Sequence, residues 1–108
     1  MIELTLGSGN KAYVGKNARD NEELVHFFNQ DGYMWFHAEE YPGPHVIMYN
    51  PTPSDKKEAA QIAIDRSKAP SGKNNVIYCA VNELYKERKS TIGEFCTPDN
   101  ARLYKVHK

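Results

Sequence analysis

The strongest constraint on the fold is a pair of strand-like runs that flank residues 39–44, a segment with two prolines and a glycine. A short segment of turn formers between two alternating runs is typical of an antiparallel strand pair. Side chains alternate across a strand, so Met34 and Phe36 point to one face, and Trp35 and His37 to the other. The pattern therefore predicts a sheet with one apolar face and one face that carries the only Trp of the chain.

The register of this pair decides which side chains meet. The predicted strands are Tyr33–Ala38 and His45–Asn50. If they pair antiparallel across the turn, His37 lies opposite His45, and Trp35 lies opposite Ile47. A slip of two residues would instead pair His37 with Ile47 or with Gly43.

The rest of the chain predicts an α+β fold with the order ββαββαβββ, in which a mostly antiparallel sheet carries one short and one long helix on one side. The other elements are a hairpin of residues 1–6 and 11–16, a short helix capped by Asp20 with Glu23 as its capping-box partner, a long helix from Thr52 to about Ala69, a strand at residues 76–81, and a hairpin of residues 94–97 and 101–106.

Composition indicates one globular domain that covers residues 1–108. No apolar run approaches the roughly 20 residues that span a bilayer, and the start of the chain lacks a basic leader, so we expect a cytoplasmic protein with no membrane contact. Cys79 and Cys96 lie far apart in sequence, which favours reduced thiols in that compartment.

Charge is distributed unevenly although the formal net charge is zero. Residues 1–65 contain 5 basic and 10 acidic residues, whereas residues 66–108 contain 9 basic and 4 acidic ones. Such an asymmetry indicates a basic surface suited to nucleic acid. Two oppositely charged, solvated faces are the alternative interpretation.

Catalysis and metal binding have little support in the sequence. His37 and His45 could bind a metal or transfer protons, but no further ligands with a known spacing complete a metal site. Neither cysteine has an activating context, and no nucleophile elbow occurs. We therefore expect a protein without enzymatic activity, metal or cofactor, and a small hydrolase that uses the histidine pair is the less favoured alternative.

Two basic segments are suited to phosphate groups. Residues 15–21 bring two cations and two amides to the start of the short helix, where anions bind well. The densest basic run is at residues 86–89. Together with an exposed Trp/His face, it offers cations for phosphates and flat rings for stacking, the combination that binds single-stranded nucleic acid. A solvated loop is the alternative for each segment.

Taken together, six short motifs resemble those of the NFACT-R domain family in order and spacing over nearly the whole chain. They are Gly15-Lys16-Asn17, Asp20-Asn21-x-x-Leu24, Trp35-Phe36-His37, Pro42-Gly43-x-His45-Val46, Ala59-Ala60 and Ser67-Lys68-Ala69.

The resemblance implies a stand-alone, single-domain RNA-binding module that binds tRNA or rRNA in translation or ribosome-associated quality control. A module that docks on ribosome-associated proteins, or a DNA-binding member, is the alternative. The expected site residues are Trp35, His37 and His45 on the recognition face, Lys16, Asn17, Arg19 and Asn21 around phosphate at the helix start, and Lys68, Lys86, Arg88 and Lys89 on an extended basic surface. A competing structural hypothesis is that the long helix simply covers Trp35.

Overall fold

The computed structural model describes residues 1–108, and its elements alternate between strand pairs and helices. In chain order they are β1 (Ile2–Thr5), β2 (Lys11–Val14), α1 (Ala18–Phe27), β3 (Tyr33–Ala38), β4 (Val46–Tyr49), α2 (Pro53–Asp65), β5 (Lys73–Ala80), a 3₁₀ turn (Val81–Glu83) and β6 (Arg102–His107).

All six strands form one antiparallel sheet in the order β1-β2-β4-β3-β5-β6. This arrangement confirms the predicted α+β class. The predicted register is also confirmed, because Trp35 pairs with Ile47 across β3 and β4. The same register brings His37 and His45 together beyond the last strand pair, with ring centroids 5.2 Å apart.

Helix α2 starts as the sequence predicts. Thr52 is the N-cap and Pro53 the first helical residue. The Asp55 amide donates to Thr52 Oγ1 at 3.1 Å, and the Thr52 amide donates to Asp55 Oδ2 at 3.0 Å, which completes a capping box. The helix ends at Asp65 rather than near Ala69, because the Ser67 hydroxyl donates to the carbonyl of Ile64 and turns the chain.

The main core lies between α2 and one face of the sheet. Ala59, Ala60 and Ala63 are fully buried there, and their small side chains let the helix lie close to the strands. They pack against the apolar face of β3 and β4, which includes Phe36 and Met48. Within this cluster 13 side chains are buried, so this face provides most of the hydrophobic stabilisation of the fold.

Helix α1 differs from the prediction in its start and in its position. Asn17, not Asp20, is the N-cap, and its side chain accepts from the Asp20 amide at 2.9 Å. Asp20 is the third helical residue and accepts from the Lys16 amide at 2.9 Å. The sequence pattern is ambiguous because Asn and Asp are about equally good N-caps.

The two helices lie on opposite faces of the sheet, so the prediction that both lie on one side is wrong. Leu24 and Val25 of α1, with the C-cap residue Phe28, form a second core with Trp35 and its neighbours on the face away from α2. The reason is the alternation in β3, because bulky side chains on both faces each require a cover.

The predicted C-terminal hairpin is also wrong in part. Residues 94–97 form a single isolated bridge, between Cys96 and Tyr85, and no strand. Residues 102–107 are a strand, but β6 pairs with β5 instead, with Ile77 opposite Leu103. The apolar strand β5 requires a partner on its outer edge, and β6 supplies it.

Candidate functional site

An open groove of about 810 Å³ lies at the end of the central strands β3 and β4, where the histidines meet. Four chain segments surround it: the start of α1, the turn at residues 42–45, the end of α2 near Arg66 and Lys68, and residues 92–95. These segments are far apart in sequence, so the groove exists only in the folded protein.

The turn at one side of the groove is held tightly against the end of α2. The Lys68 amide donates to the carbonyl of Pro42 at 2.8 Å. A Cβ atom at Gly43 would lie 2.8 Å from Cβ of Ser67, so only glycine fits at this contact without a shift. Two of the motifs found in the sequence, residues 42–46 and 67–69, therefore meet each other here.

The floor of the groove is fixed by Asn21. Its Oδ1 atom accepts from the His45 amide at 3.1 Å, and the Gly15 amide donates to the carbonyl of His45 at 3.0 Å. A Cβ atom at Gly15 would lie 1.8 Å from Asn21 Oδ1, which explains the glycine. Asn21 lines the groove but is buried, so its main role is structural: it joins α1 to the β3–β4 turn.

Trp35 and the two histidines form a packed aromatic group. Trp35 and His45 are each only 3% exposed. The His37 ring stacks on Trp35 with centroids 5.6 Å apart and an interplanar angle of 6°, whereas the His45 ring meets both edge-on. Trp35 lies in the core beneath α1, so it has no open face on which a base could stack, and the long helix is not what covers it.

Both histidines are neutral near pH 7. Burial, and then the neighbouring His37, lowers the pKa of His45 to about 3. Burial also lowers the pKa of His37, although the nearby backbone of Ala38 and Gly43 partly opposes this. They therefore offer rings and hydrogen bonds rather than positive charge.

Two buried polar atoms beside the groove have no hydrogen-bond partner: Nε1 of Trp35 and Nδ1 of His45. Such atoms are rare in folded proteins because each costs free energy. Both residues line the groove. These two unpaired atoms lower the stability of the fold, and they lie beside the groove.

The start of α1 adds an anion-attracting element to the groove. The first amides of a helix have no acceptor within the helix, and the helix dipole places partial positive charge there. Lys16, Asn17 and Ala18 line the groove at this end, and Arg66 and Lys68 face it from the end of α2. One carboxylate, that of Glu94, is also on the rim.

The outer wall belongs to an irregular segment, residues 86–95, which we call the strap. Gly93 has a positive φ of 77°, and a Cβ atom there would lie 2.5 Å from the carbonyl oxygen of Ala18. The Phe95 ring lies 6.0 Å from that of His45. The strap therefore closes the side of the groove that the sheet and the helices leave open.

The structure brings seven of the eleven predicted site residues to the groove and leaves four outside it. Those that line it are Lys16, Asn17, Asn21, Trp35, His37, His45 and Lys68. Those outside its lining are Arg19, Lys86, Arg88 and Lys89, all on the exposed surface.

Sequence reasoning missed Arg66 and the strap wall, Ile92–Phe95. Arg66 directly precedes the Ser67-Lys68 motif, and that position could have suggested it. The strap has no local signal, because its amide at Gly93 bonds to Glu22, 71 residues away in sequence.

Three further observations concern metal ligands, cysteines and membrane spans. No group of three or more His, Cys, Asp or Glu side chains is arranged to hold a metal ion. Cys79 and Cys96 are both free cysteines, the first buried and the second partly exposed. No helix has the length and apolar character needed to cross a membrane.

Taken together, the fold and the groove define a small α+β domain with a cation-rimmed cleft and no visible catalytic group. Residues 6–97 match the family model described as the NFACT protein RNA binding domain. The chain therefore belongs to the NFACT RNA-binding domain family, and the predicted resemblance is confirmed.

Characterised relatives and a solved structure support this membership. The chain is 39% identical over 84 residues to the Rqc2 homolog RqcH of Streptococcus suis, a match that covers 75% of this chain and 15% of the relative. It is 31% identical over 113 aligned positions to the Rqc2 homolog RqcH of Bacillus subtilis, which covers 94% of this chain and 20% of the relative.

The solved structure is the C-terminal part of the fibronectin/fibrinogen-binding protein from Streptococcus suis. It superposes with a TM-score of 0.89 at 28% identity and covers 97% of this chain and 44% of that one. The chain thus spans only a minor part of the proteins that it matches.

Proposed function

We propose that this domain binds RNA through the groove, without catalysis, and that its targets are structured RNAs such as tRNA or rRNA in ribosome-associated quality control. Its family supports RNA as the ligand, and the names of its relatives suggest the process. The observation that carries the site assignment is the convergence of Lys16, Arg66 and Lys68 with the start of α1 around one cleft.

Phosphate groups would bind at the rim of the groove. Lys16 and the first turn of α1 form one anchor, and Arg66 and Lys68 form the other. The exposed cations Arg19, Arg88 and Lys89 would then extend the path of the backbone on both sides. Lys86 lies among them in sequence, but its charge is already paired with Glu22. Lysine and arginine contacts of this kind provide most of the affinity of non-specific binding.

An unpaired base would occupy the groove itself. His37 is half-buried and neutral, and Phe95 of the strap also lines the groove. Flat rings of this type accept any base by stacking. Trp35 would support the His37 ring from below rather than touch RNA.

A salt series on RNA binding tests the proposal. We expect log affinity for a tRNA or an rRNA fragment to fall linearly with log salt, with a slope that corresponds to about three to five phosphate contacts. The absence of binding at about 50 mM salt, where phosphate contacts are strongest, would contradict RNA binding. Equal affinity for DNA of matched length would point to a general nucleic-acid binder.

A protein-docking function is a second candidate, because aromatic side chains are exposed at the C-terminal end of α1 and at the end of β4. Phe27 is 68% exposed and Tyr49 is 59% exposed. Exposed aromatic rings are common in protein interfaces. Capture of the same partner after nuclease treatment would favour this function, and loss of the partner would favour binding through RNA.

A further inference from the structure

The strap is joined to α1 mainly through one carboxylate, that of Glu22. Lys86 Nζ forms an ion pair with Glu22 Oε1, and the Gly93 amide donates to the same oxygen at 2.8 Å. On the other oxygen, His26 Nε2 lies at 2.7 Å. Glu22 therefore contacts the strap at both of its ends.

These contacts are charge-assisted hydrogen bonds, and they are partly protected from water. The Glu22 side chain is 17% exposed and that of Lys86 is 29% exposed. The hydrogen bonds to Lys86 and Gly93 lower the pKa of Glu22 to about 2 in spite of the opposing effect of burial, so the carboxylate stays charged. Charge-assisted hydrogen bonds of this kind are stronger than neutral ones.

Apart from Glu22, the strap is held by the close approach of Gly93 to Ala18 and by the contacts of Phe95 with His26 and His45. It contains no helix or strand, and the nearest regular contact is the bridge between Cys96 and Tyr85. The half-buried ring of Phe95 lies against Lys86, with Nζ 4.6 Å from the ring centroid. Short irregular segments with few buried contacts open readily unless specific bonds fix them.

We propose that Glu22 is a positioning residue for RNA binding, because it fixes the strap as the outer wall of the groove. This role rests on the function proposed above. It reverses the usual electrostatic expectation, since removal of a negative charge beside a phosphate-binding site normally raises affinity. Here the loss of Glu22 frees the wall that holds Phe95, and RNA binding weakens.

The chain supplies a matched control one residue away. Glu23 has the same charge and lies on the same helix, but it is exposed and has no hydrogen-bond or ion-pair partner. Both Glu22→Ala and Glu23→Ala add one unit of positive charge and introduce a good helix former. A difference in RNA affinity between the two variants therefore comes from the contacts of Glu22 to the strap or to His26, and exchange at the Gly93 amide reports on the strap contact alone.

The experiment measures RNA affinity and amide hydrogen exchange in wild type, Glu22→Ala and Glu23→Ala. We expect Glu22→Ala to bind RNA about tenfold more weakly and to exchange the Gly93 amide at least about tenfold faster. Glu23→Ala should bind RNA as tightly as wild type or slightly more tightly, with unchanged exchange at Gly93.

Three results would overturn the proposal in distinguishable ways. If Glu22→Ala binds RNA as well as Glu23→Ala does, the strap position does not matter for binding. If Gly93 exchange is unchanged in Glu22→Ala, Glu22 does not hold the strap. If wild type binds no RNA at all, the proposed function fails together with this role, although the exchange data still report on the contact itself. Should Glu22→Ala lose its helical circular dichroism, Glu22→Leu, which also cannot accept from Gly93, replaces it with Glu23→Leu as its control and the same criteria.

Discussion

The two faces of the sheet are built according to different rules. Beneath α2, the core cluster contains 13 buried residues, and Asp55, the buried carboxylate at the start of that helix, has its hydrogen bonds satisfied. Beneath α1, the cluster contains seven, and Trp35 and His45 each keep a buried polar atom unpaired. The comparison indicates that the α2 face provides most of the stability of the fold. On the α1 face, the unpaired polar atoms beside the groove cost stability, as is common at functional sites.

The largest expected effect concerns Asp55 on the closed face. Its carboxylate accepts from Ser8 Oγ and from Asn10 Nδ2, both at 2.6 Å, and so joins the β1–β2 turn to α2. These bonds, with the capping contact to Thr52, lower the pKa of Asp55 to about 2. We expect Asp55→Ala to reduce the free energy of unfolding by about 3–4 kcal/mol, measured by urea denaturation.

The exposed Asp65 at the other end of α2 is the control for that substitution. Asp65→Ala should cost less than about 1 kcal/mol, as do most surface substitutions. If the two variants lose similar stability, the closed face is not anchored as described.

The second effect is acid sensitivity of the open face. Because the pKa of His45 is about 3 when folded and 6.5 in the reference state, the folded protein binds fewer protons. Stability is therefore complete above about pH 6.5 and falls as the pH drops towards 3, by about 2 kcal/mol between pH 6.5 and pH 5.

Urea denaturation of wild type and His45→Asn at these two pH values isolates this contribution. The variant should lose about 2 kcal/mol less than wild type over the interval, since its side chain does not titrate. Most titration of Glu22 and Asp55, whose reference pKa values are 4.5 and 3.8, lies below this range. Equal losses in the two proteins would show that His45 is not held neutral by burial.

The third effect concerns the turn between β3 and β4, which contacts the end of α2. In Gly43→Ala, the new methyl group meets Ser67 at 2.8 Å and pushes the turn from the end of α2. We expect a loss of about 1–2 kcal/mol in unfolding free energy and weaker RNA binding, because the groove changes width. Gly7→Ala is the matched control, since its only close neighbour is the mobile end of Glu58. An equal response from both glycines would argue against a tight turn.

The smallest expected effect is that of Trp35→Phe on RNA affinity. A base stacked on Trp35 would contribute about 1–3 kcal/mol. Since the ring is buried, we expect affinity to stay within about twofold of wild type. Iodide should quench the single Trp poorly, and a tenfold loss of affinity would mean that Trp35 reaches RNA after all.

Local sequence signals predicted the parts of the fold that depend on neighbouring residues. Alternation in residues 33–38 determined the β3–β4 register, and the Thr52-Pro53-x-Asp55 pattern determined the start of α2. Both features rest on contacts within a few residues, so the sequence contains the information directly.

Features that depend on distant contacts were not predicted. Which helix covers Trp35 depends on the hand of the chain path across the sheet, which periodicity does not encode. The strap joins Glu22 to Gly93, and no local pattern marks such a pair. Residues 94–97 alternate like a strand, but their predicted partner, β6, pairs with β5, and Glu94 and Phe95 line the groove instead.

The most direct test of the central claim compares cations at the groove with cations elsewhere. Arg66 and Lys68 line the groove, whereas Lys57 and Lys105 are also exposed but lie outside it. With a tRNA ligand at about 100 mM salt, we predict that Arg66→Ala with Lys68→Ala lowers affinity at least about tenfold and reduces the salt slope by about two. The pair Lys57→Ala with Lys105→Ala should change affinity less than about threefold. Equal losses from the two pairs would contradict an RNA site at this groove.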